Sequence, residues 1–352
     1  MTKIRIIILS VIFVLYHTNC ASQPIVDKVS ETFAGVNTIN VKGIFCPVEF
    51  EQGSGSNVQF EGEIRHEDSS AGLYKIRYEQ KENQLDVWIE MLNPNIHKVN
   101  AVLGKINRPP GVLRFSTPKD MLINIENVSG NVTVSDVGRE IKVKTSSGRI
   151  TVRDISCDAV LSSVSGSISA EFVNGNLEAR SSSGSIKTTD IKGTANIAAV
   201  SGSLRILNVL NDVKASTSSG SLFVSHVYSN VSGKTVSGKV ELKNIKGNIQ
   251  LQSSSGRISI TDVVGEINAS TTSGSINGNK VMITGNSSFK SSSGNINIGL
   301  LNSPISLGYD LTSSSGRLEV DNLKGQKKLT ITEGAIKITS NTVSGNQKFY
   351  NH

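Results

Sequence analysis

Apolar and polar residues recur with a fixed period through the middle of the chain. Ser-Gly pairs place Gly130, Gly148, Gly166, Gly184, Gly202, Gly220, Gly238, Gly256 and Gly274 at intervals of 18, and Gly294 and Gly316 follow at 20 and 22. Two residues after each glycine the side chain is always aliphatic: Val132, Ile150, Ile168, Ile186, Leu204, Leu222, Val240, Ile258, Ile276, Ile296 and Leu318. Two further on come Val134, Val152, Ala170, Thr188, Ile206, Val224, Leu242 and Ile260, with Thr133, Thr151, Ser169, Lys187, Arg205, Phe223, Glu241 and Ser259 between the two columns. Alternation with period two marks a strand with one face buried. A repeat of this length signals a solenoid, because one unit alone cannot bury its apolar face and stacked units can.

The alternation slips by one at Val137, Ile155, Val173, Ile191, Val209, Val227, Ile245 and Val263, so a corner precedes each of them. The residue at that corner is Asp136, Asp154, Phe172, Asp190, Asn208, His226, Asn244 or Asp262. Asp and Asn suit it because their side chains bond the local backbone and tolerate left-handed geometry. A second corner carries Gly175, Gly193, Gly247 and Gly265. A second strand then runs through pairs such as Ile141 and Val143, Leu177 and Ala179, or Ile249 and Leu251.

The fold class that follows is all-β: a parallel β-solenoid, right-handed by the usual chirality of parallel crossovers, with about 18 residues per turn. Identical columns stack about 4.8 Å apart in such a rod, giving it a length of roughly 50 Å. A hexapeptide helix also divides 18, but its apolar column would recur every six residues, and here it does not. Two residues before the glycine, Val128, Ser146, Val164, Ser182, Val200, Ser218, Val236 and Ser254 alternate. That leaves a 36-residue turn as an alternative, with 18 preferred because side chains can fill a core of that size.

The expected organisation is a signal peptide over 1–22, irregular N-terminal turns and cap over 23–120, the regular solenoid over 121–325, and a C-terminal cap and tail over 326–352. Within the N-terminal part Ile39-Asn40-Val41, Val48-Glu49-Phe50 and Leu85-Asp86-Val87-Trp88-Ile89 still alternate, and Leu92 to Pro110 reads as a loop. Atypical, charged end segments are how solenoids shield their terminal strands.

The signal peptide rests on Lys3 and Arg5, the short apolar run Ile6 to Tyr16, and small residues before Gln23. Cleavage after Ser22 is preferred to lipidation of Cys20, since Tyr16, His17, Thr18 and Asn19 lack the aliphatic and small residues of a lipoprotein signal. The exported chain then carries 34 basic against 29 acidic residues, a mild excess without any basic run interleaved with aromatics, so nucleic acid is not an expected partner. No segment of the exported chain is expected to cross a membrane. Cys46 and Cys157 are far apart in a rod and read as small core or corner residues.

Candidate chemistry is sparse. Asp136 and Asp154 fall in one column of adjacent turns, about 5 Å apart, where two carboxylates could act on sugars or hold calcium. Asn, Phe and His interrupt that column, which favours a corner-forming role. Calcium β-rolls need Gly-Gly-x-Gly-x-Asp, which is missing. His66, His97, His226 and His352 have no partners at ligand spacing, and no Gly-x-Ser-x-Gly elbow occurs. Arg149, Lys187, Arg205, Lys239, Arg257 and Arg317 reach one outer face among Ser, Thr and Asn, as a solvated face or a surface for an acidic polymer. Lys187, Arg205, Phe223 and Glu241 spoil the uniform hydroxyl column that ice binding would need. Sequons at Asn127, Asn131, Asn230 and Asn286 follow from turn composition.

Phe33-Ala34-Gly35-Val36 leading into Ile39-Asn40-Val41-Lys42-Gly43, with recurrent units such as Ser147-Gly148-Arg149-Ile150-Thr151-Val152, resembles a bacterial family of exported, adhesin-like proteins of unknown function built from β-strand repeats. The resemblance implies fold and export and carries no catalytic residues. The expectation is a noncatalytic envelope or cell-surface scaffold, free of cofactor and metal, offering a flat surface to polysaccharide or a surface protein. The alternative is a polysaccharide-acting β-helix lyase or hydrolase.

Overall fold

The computed structural model describes residues 25–65, 73–92 and 111–351. The expected signal segment, nearly all of the expected loop, and His66, His97 and His352 lie outside the described residues. Among the described residues the chain is strand and turn, with one short 3-10 segment, Pro304–Ser306, and no α-helix.

Each regular turn contributes two strands. Ile150–Ile155 and Ala159–Ser163 make one turn, and Ile168–Val173 and Leu177–Ser181 make the next. Pairing is parallel, with Ile150 opposite Ile168 and Ala159 opposite Leu177. The offset is 18 residues, so one repeat is one physical turn. The alternating valines Val128, Val164, Val200 and Val236 stand exposed at one corner, where they make adjacent turns differ without altering the pairing.

The aliphatic columns fill the interior, with Ile150, Val152, Ile155 and Leu161 fully buried in a single turn. β-branched side chains pack well on a pleated, half-buried surface, which is why Val and Ile dominate these columns. At the Ser-Gly corner the glycines stack directly on one another. A Cβ on any of them would overlap the carbonyl oxygen of the residue one turn below. Close approach, rather than a positive φ, imposes glycine here. In most turns the residue three before the glycine is Ser or Thr, whose hydroxyl turns inward and accepts the glycine N–H, as in Thr145 with Gly148 at 3.1 Å, Ser163 with Gly166 at 2.8 Å and Thr235 with Gly238 at 3.0 Å. These buried hydroxyls supply an acceptor to a donor that the ladder would leave unpaired.

At both ends the chain leaves its own order. The early strands Thr38–Lys42 and Val48–Gln52 do not form the outermost turn. They lie between Leu122–Asn127 and Val132–Ser135 on one side and Gln84–Met91 and Gly111–Thr117 on the other. Cys46 stands at the glycine column there, with its carbonyl beneath Gly130. Beyond this turn Val58–Arg65 pairs antiparallel with Gly111–Thr117, and Ile25–Phe33 with Val58–Arg65, while Tyr74–Lys81 covers Gln84–Met91. Aromatic side chains fill these end layers: Phe50 stacks on Phe115 with centroids 4.3 Å apart, and Phe60 on Phe115 at 4.7 Å.

The C-terminal end repeats the device. Residues 326–352, expected as cap and tail, divide differently. Ile336–Thr342 and Gln347–Asn351 form a full parallel turn on Ser287–Ser291 and Ile296–Leu300. The earlier strand Leu307–Val320 stacks outside that turn and pairs antiparallel with Leu323–Ile331. The glycine column therefore runs Gly274, Gly294, Gly345, Gly316 in space. The outermost strand exposes Lys324, Lys327 and Lys328, a charge pattern that discourages another chain from adding to the edge.

Gly220→Ala forces a methyl into the carbonyl of Gly202, so thermal melting should show a loss of about 1–3 kcal/mol. Gly55→Ala, in an exposed turn with no atom nearer than 3.9 Å to the new carbon, should stay within about 0.5 kcal/mol of the parent. Burial pushes the Cys46 thiol from 9.0 up to about 12. The thiol is protonated in the fold and ionises more readily in the unfolded chain, so its contribution to stability is full below pH 9 and is lost as pH rises from there towards 12. Peptide mapping after thiol labelling at pH 8 should find Cys46 unmodified in the folded protein and modified in denaturant.

Candidate functional site

The rod offers two outward faces and the corners between them. Asp136, Asp154, Phe172, Asp190, Asn208, His226, Asn244, Asp262 and Lys280 all adopt left-handed φ, between +53° and +59°. Asp and Asn tolerate this geometry; Phe172 and Lys280 hold it because neighbouring turns fix the backbone. The column borders a shallow hollow of about 470 Å3 lined by Asp136, Asp154, Phe172, Asp190 and Asn208. Two of its carboxylates are engaged locally: Asp154 pairs with Arg153 at 3.1 Å, and Asp190 accepts from Asn208 at 2.9 Å. Among the described residues no three His, Cys, Asp or Glu side chains gather with metal-ligand geometry.

His226 is the histidine within the described residues. Its Nε2 accepts from Asn244 at 2.9 Å, which leaves Nδ1 to donate to Ser225 Oγ at 2.8 Å. Ser225 is buried, so this serine-imidazole pair does not present its oxygen to a substrate. Cys46 is enclosed in the core, and the half-buried Cys157 thiol is pushed up to about 11, chiefly by burial and then by the charges of Asp158 and Glu140.

The basic residues expected on one face do share it, but much of their charge is answered. Lys187 pairs with Glu171 at 3.4 Å and Lys239 with Glu241 at 2.6 Å. Arg149 donates to Ser167, and the Arg205 guanidinium lies over the Phe223 ring, 4.5 Å from its centre. The face is a mixed ladder of paired charge, hydroxyls and aromatic rings.

The opposite face and its corner carry amides, a feature that column reading missed because each residue is unremarkable alone. Asp158 accepts the backbone N–H of Asn176 at 2.7 Å, and Asn176 that of Thr194 at 2.9 Å. Asp212, Asn230 and Asn248 repeat the relay to Asn230, Asn248 and Glu266. The Ser229 hydroxyl, the Asn230 N–H and the Asn230 side chain hold the Asp212 carboxyl below its ordinary value. Beside this relay Asn196, Lys214, Ser232, Gln250 and Asn268 line a hollow of about 610 Å3. Nearer the N-terminal end the same face carries a hollow of about 820 Å3 around Asn40, Asp86, Trp88 and Asn124.

A rod of parallel strands with polar outer columns defines a β-solenoid. Residues 120–209 and 201–348 match the family Toastrack DUF4097, nearly two thirds of the chain, and the protein belongs to that family. Among solved structures it is similar to a "putative cell adhesion protein" of Clostridium sporogenes, at 10% identity over 92% of this chain and 100% of that one, TM-score 0.22. It is also similar to a "putative lipid binding protein" of Parabacteroides distasonis, at 16% identity over 78% and 97%, TM-score 0.31. A "putative adhesin" of Bacteroides fragilis matches at 13% identity over 92% and 96%, TM-score 0.22. Likeness this distant transfers no ligand or role. A comparison with curated proteins gives no match.

If the left-handed column is structural, Asp154→Ala should lower stability by about 1 kcal/mol while Asp154→Asn stays near the parent. Phe172→Asn should raise the melting temperature. A fall in melting temperature for Phe172→Asn would show that its contact with Arg153, 5.6 Å from the ring centre, outweighs the backbone geometry.

Proposed function

We propose that the protein is exported and acts in the envelope or at the cell surface as a noncatalytic, rod-shaped scaffold whose polar faces bind polysaccharide or a surface protein. The observation that carries this reading is the regularity of the outer columns. Successive turns repeat the same side-chain positions about every 4.8 Å on a backbone fixed by parallel ladders. A ligand that is itself a repeating polymer can engage such a surface many times, and weak contacts then sum to useful avidity. The faces are rich in hydroxyls and amides, groups that both donate and accept and so suit hydroxylated chains.

Export belongs to the proposal: residues 1–22 act as a signal peptide, and N-terminal analysis of the secreted product should begin at Gln23. Recovery of a lipidated Cys20 would replace a free rod with an anchored one. The binding reading is tested on the chain from Gln23 with an array of glycans and envelope extracts, read in parallel for product release. Saturable binding without turnover is expected. Chain scission would overturn the scaffold reading in favour of a polysaccharide-acting enzyme and direct attention to Asp136 and Asp154.

A further inference from the structure

The hollow near the N-terminal end differs in kind from the rest of its face. Trp88 is the one tryptophan of the chain, and it lies on the outer side of Gln84–Met91, half-buried between the core residues Val87 and Ile89. Lys42 stands opposite Trp88 on one side and Glu126 on the other in the strand register. The floor is a row of planar polar groups already bonded to one another. Asn124 donates to Asn40 Oδ1 at 2.8 Å, and Asn40 donates to Asp86 Oδ1 at 2.7 Å. Gln84 donates to both Asp86 oxygens at 2.9 and 3.0 Å.

Asp86 receives donors from two sides, the bonds along the row set the orientation of the Asn40 amide, and Asn40 and Asn124 line the hollow with hydrogen-bonding capacity left over. Preorganisation of that kind reduces the ordering that binding must impose. The indole adds a flat apolar wall beside the polar row.

From this geometry we infer that the Trp88 hollow is a binding site for a neutral pyranose sugar. A pyranose ring has an apolar face of C–H groups and a rim of hydroxyls. The first stacks on an indole, and neighbouring hydroxyls each donate and accept against planar amides and carboxylates. The charged groups lining the hollow are Asp86, Glu126 and Lys42, two negative and one positive. That balance disfavours a uronic acid or sulfated sugar. The site rests on the proposed polysaccharide-binding role and gives it a ligand class and a location.

Because Trp88 is the only indole, its fluorescence reports this site and no other. The test titrates the chain from Gln23 with β-1,4-linked gluco- and galacto-oligosaccharides, with polygalacturonate as the acidic comparison, and follows emission and calorimetric heat together. A saturable emission change with a neutral oligosaccharide is expected, and polygalacturonate should leave the emission unchanged. Trp88→Ala should abolish the binding heat. Asn124→Ala, which keeps the indole and removes one end of the amide row, should weaken binding about tenfold. Equal melting temperatures would show that both variants retain the fold. Binding heat with unchanged emission, or undiminished binding by Trp88→Ala, would overturn this site while leaving the scaffold reading intact. Binding of no saccharide would overturn this site, and an array silent towards glycans and envelope extracts alike would overturn the scaffold reading as well.

Discussion

The whole rod depends on one close contact, the stacking of glycine on glycine where each turn reverses at the Ser-Gly corner. The carbonyl of one turn occupies the space a side chain would need on the next, so the corner is drawn inward and the two strands that flank it come close enough to share a core. That fixes the cross-section, and the cross-section fixes the residue types. The regular middle turns carry Val, Ile, Leu and Ala inside, while the buried rings Phe50, Phe60, Phe115, Phe289 and Phe349 lie in the layers towards the two ends. With both strands of every turn bonded to the turns above and below, the outward positions are free to carry whatever the surface requires.

The ends show how the solenoid avoids presenting a regular turn as its last layer. In each case antiparallel strands lie beyond a parallel turn made by a segment from elsewhere in the chain order, so that this inserted turn lies one layer in. Thr38–Lys42 is held between Gln84–Met91 and Leu122–Asn127, and Ile336–Thr342 between Ser287–Ser291 and Leu307–Val320. Bonded on both sides, these strands cannot fray as a terminal turn would. Covering strands are then left to manage the exposed edge, as the lysines of Leu323–Ile331 do.

The middle of the rod was legible in the sequence because every contact there joins residues 18 apart, so a column on the page is a column in space. Asp136 and Asp154 could be read as corner residues from composition alone, and their left-handed φ is the physical reason. The choice between 18 and 36 residues per turn stayed open because the alternating Val and Ser lie outside the core and do not report which strands pair. The threading of the ends was hidden for a related reason. Val343-Ser344-Gly345 carries the motif but follows Gly316 by neither 18 nor 20 nor 22 residues, and Cys46 fills a glycine position with no glycine to mark it. The Asn40, Asp86 and Asn124 row was invisible because its members come from three separated segments, each of which reads as an ordinary polar position facing outward.

The account therefore turns on the order of layers, since the interior columns, the capped ends and the Trp88 hollow all follow from which turn lies on which. Engineered cysteine pairs in the serine column test it most directly, because neighbouring parallel strands lie about 4.8 Å apart and alternate layers at twice that, beyond disulfide reach. Ser293→Cys with Ser344→Cys, and Ser344→Cys with Ser315→Cys, should each form an intramolecular disulfide, while Ser293→Cys with Ser315→Cys should not. A ready disulfide between positions 293 and 315 would place Gly316 directly on Gly294 and contradict the stacking described.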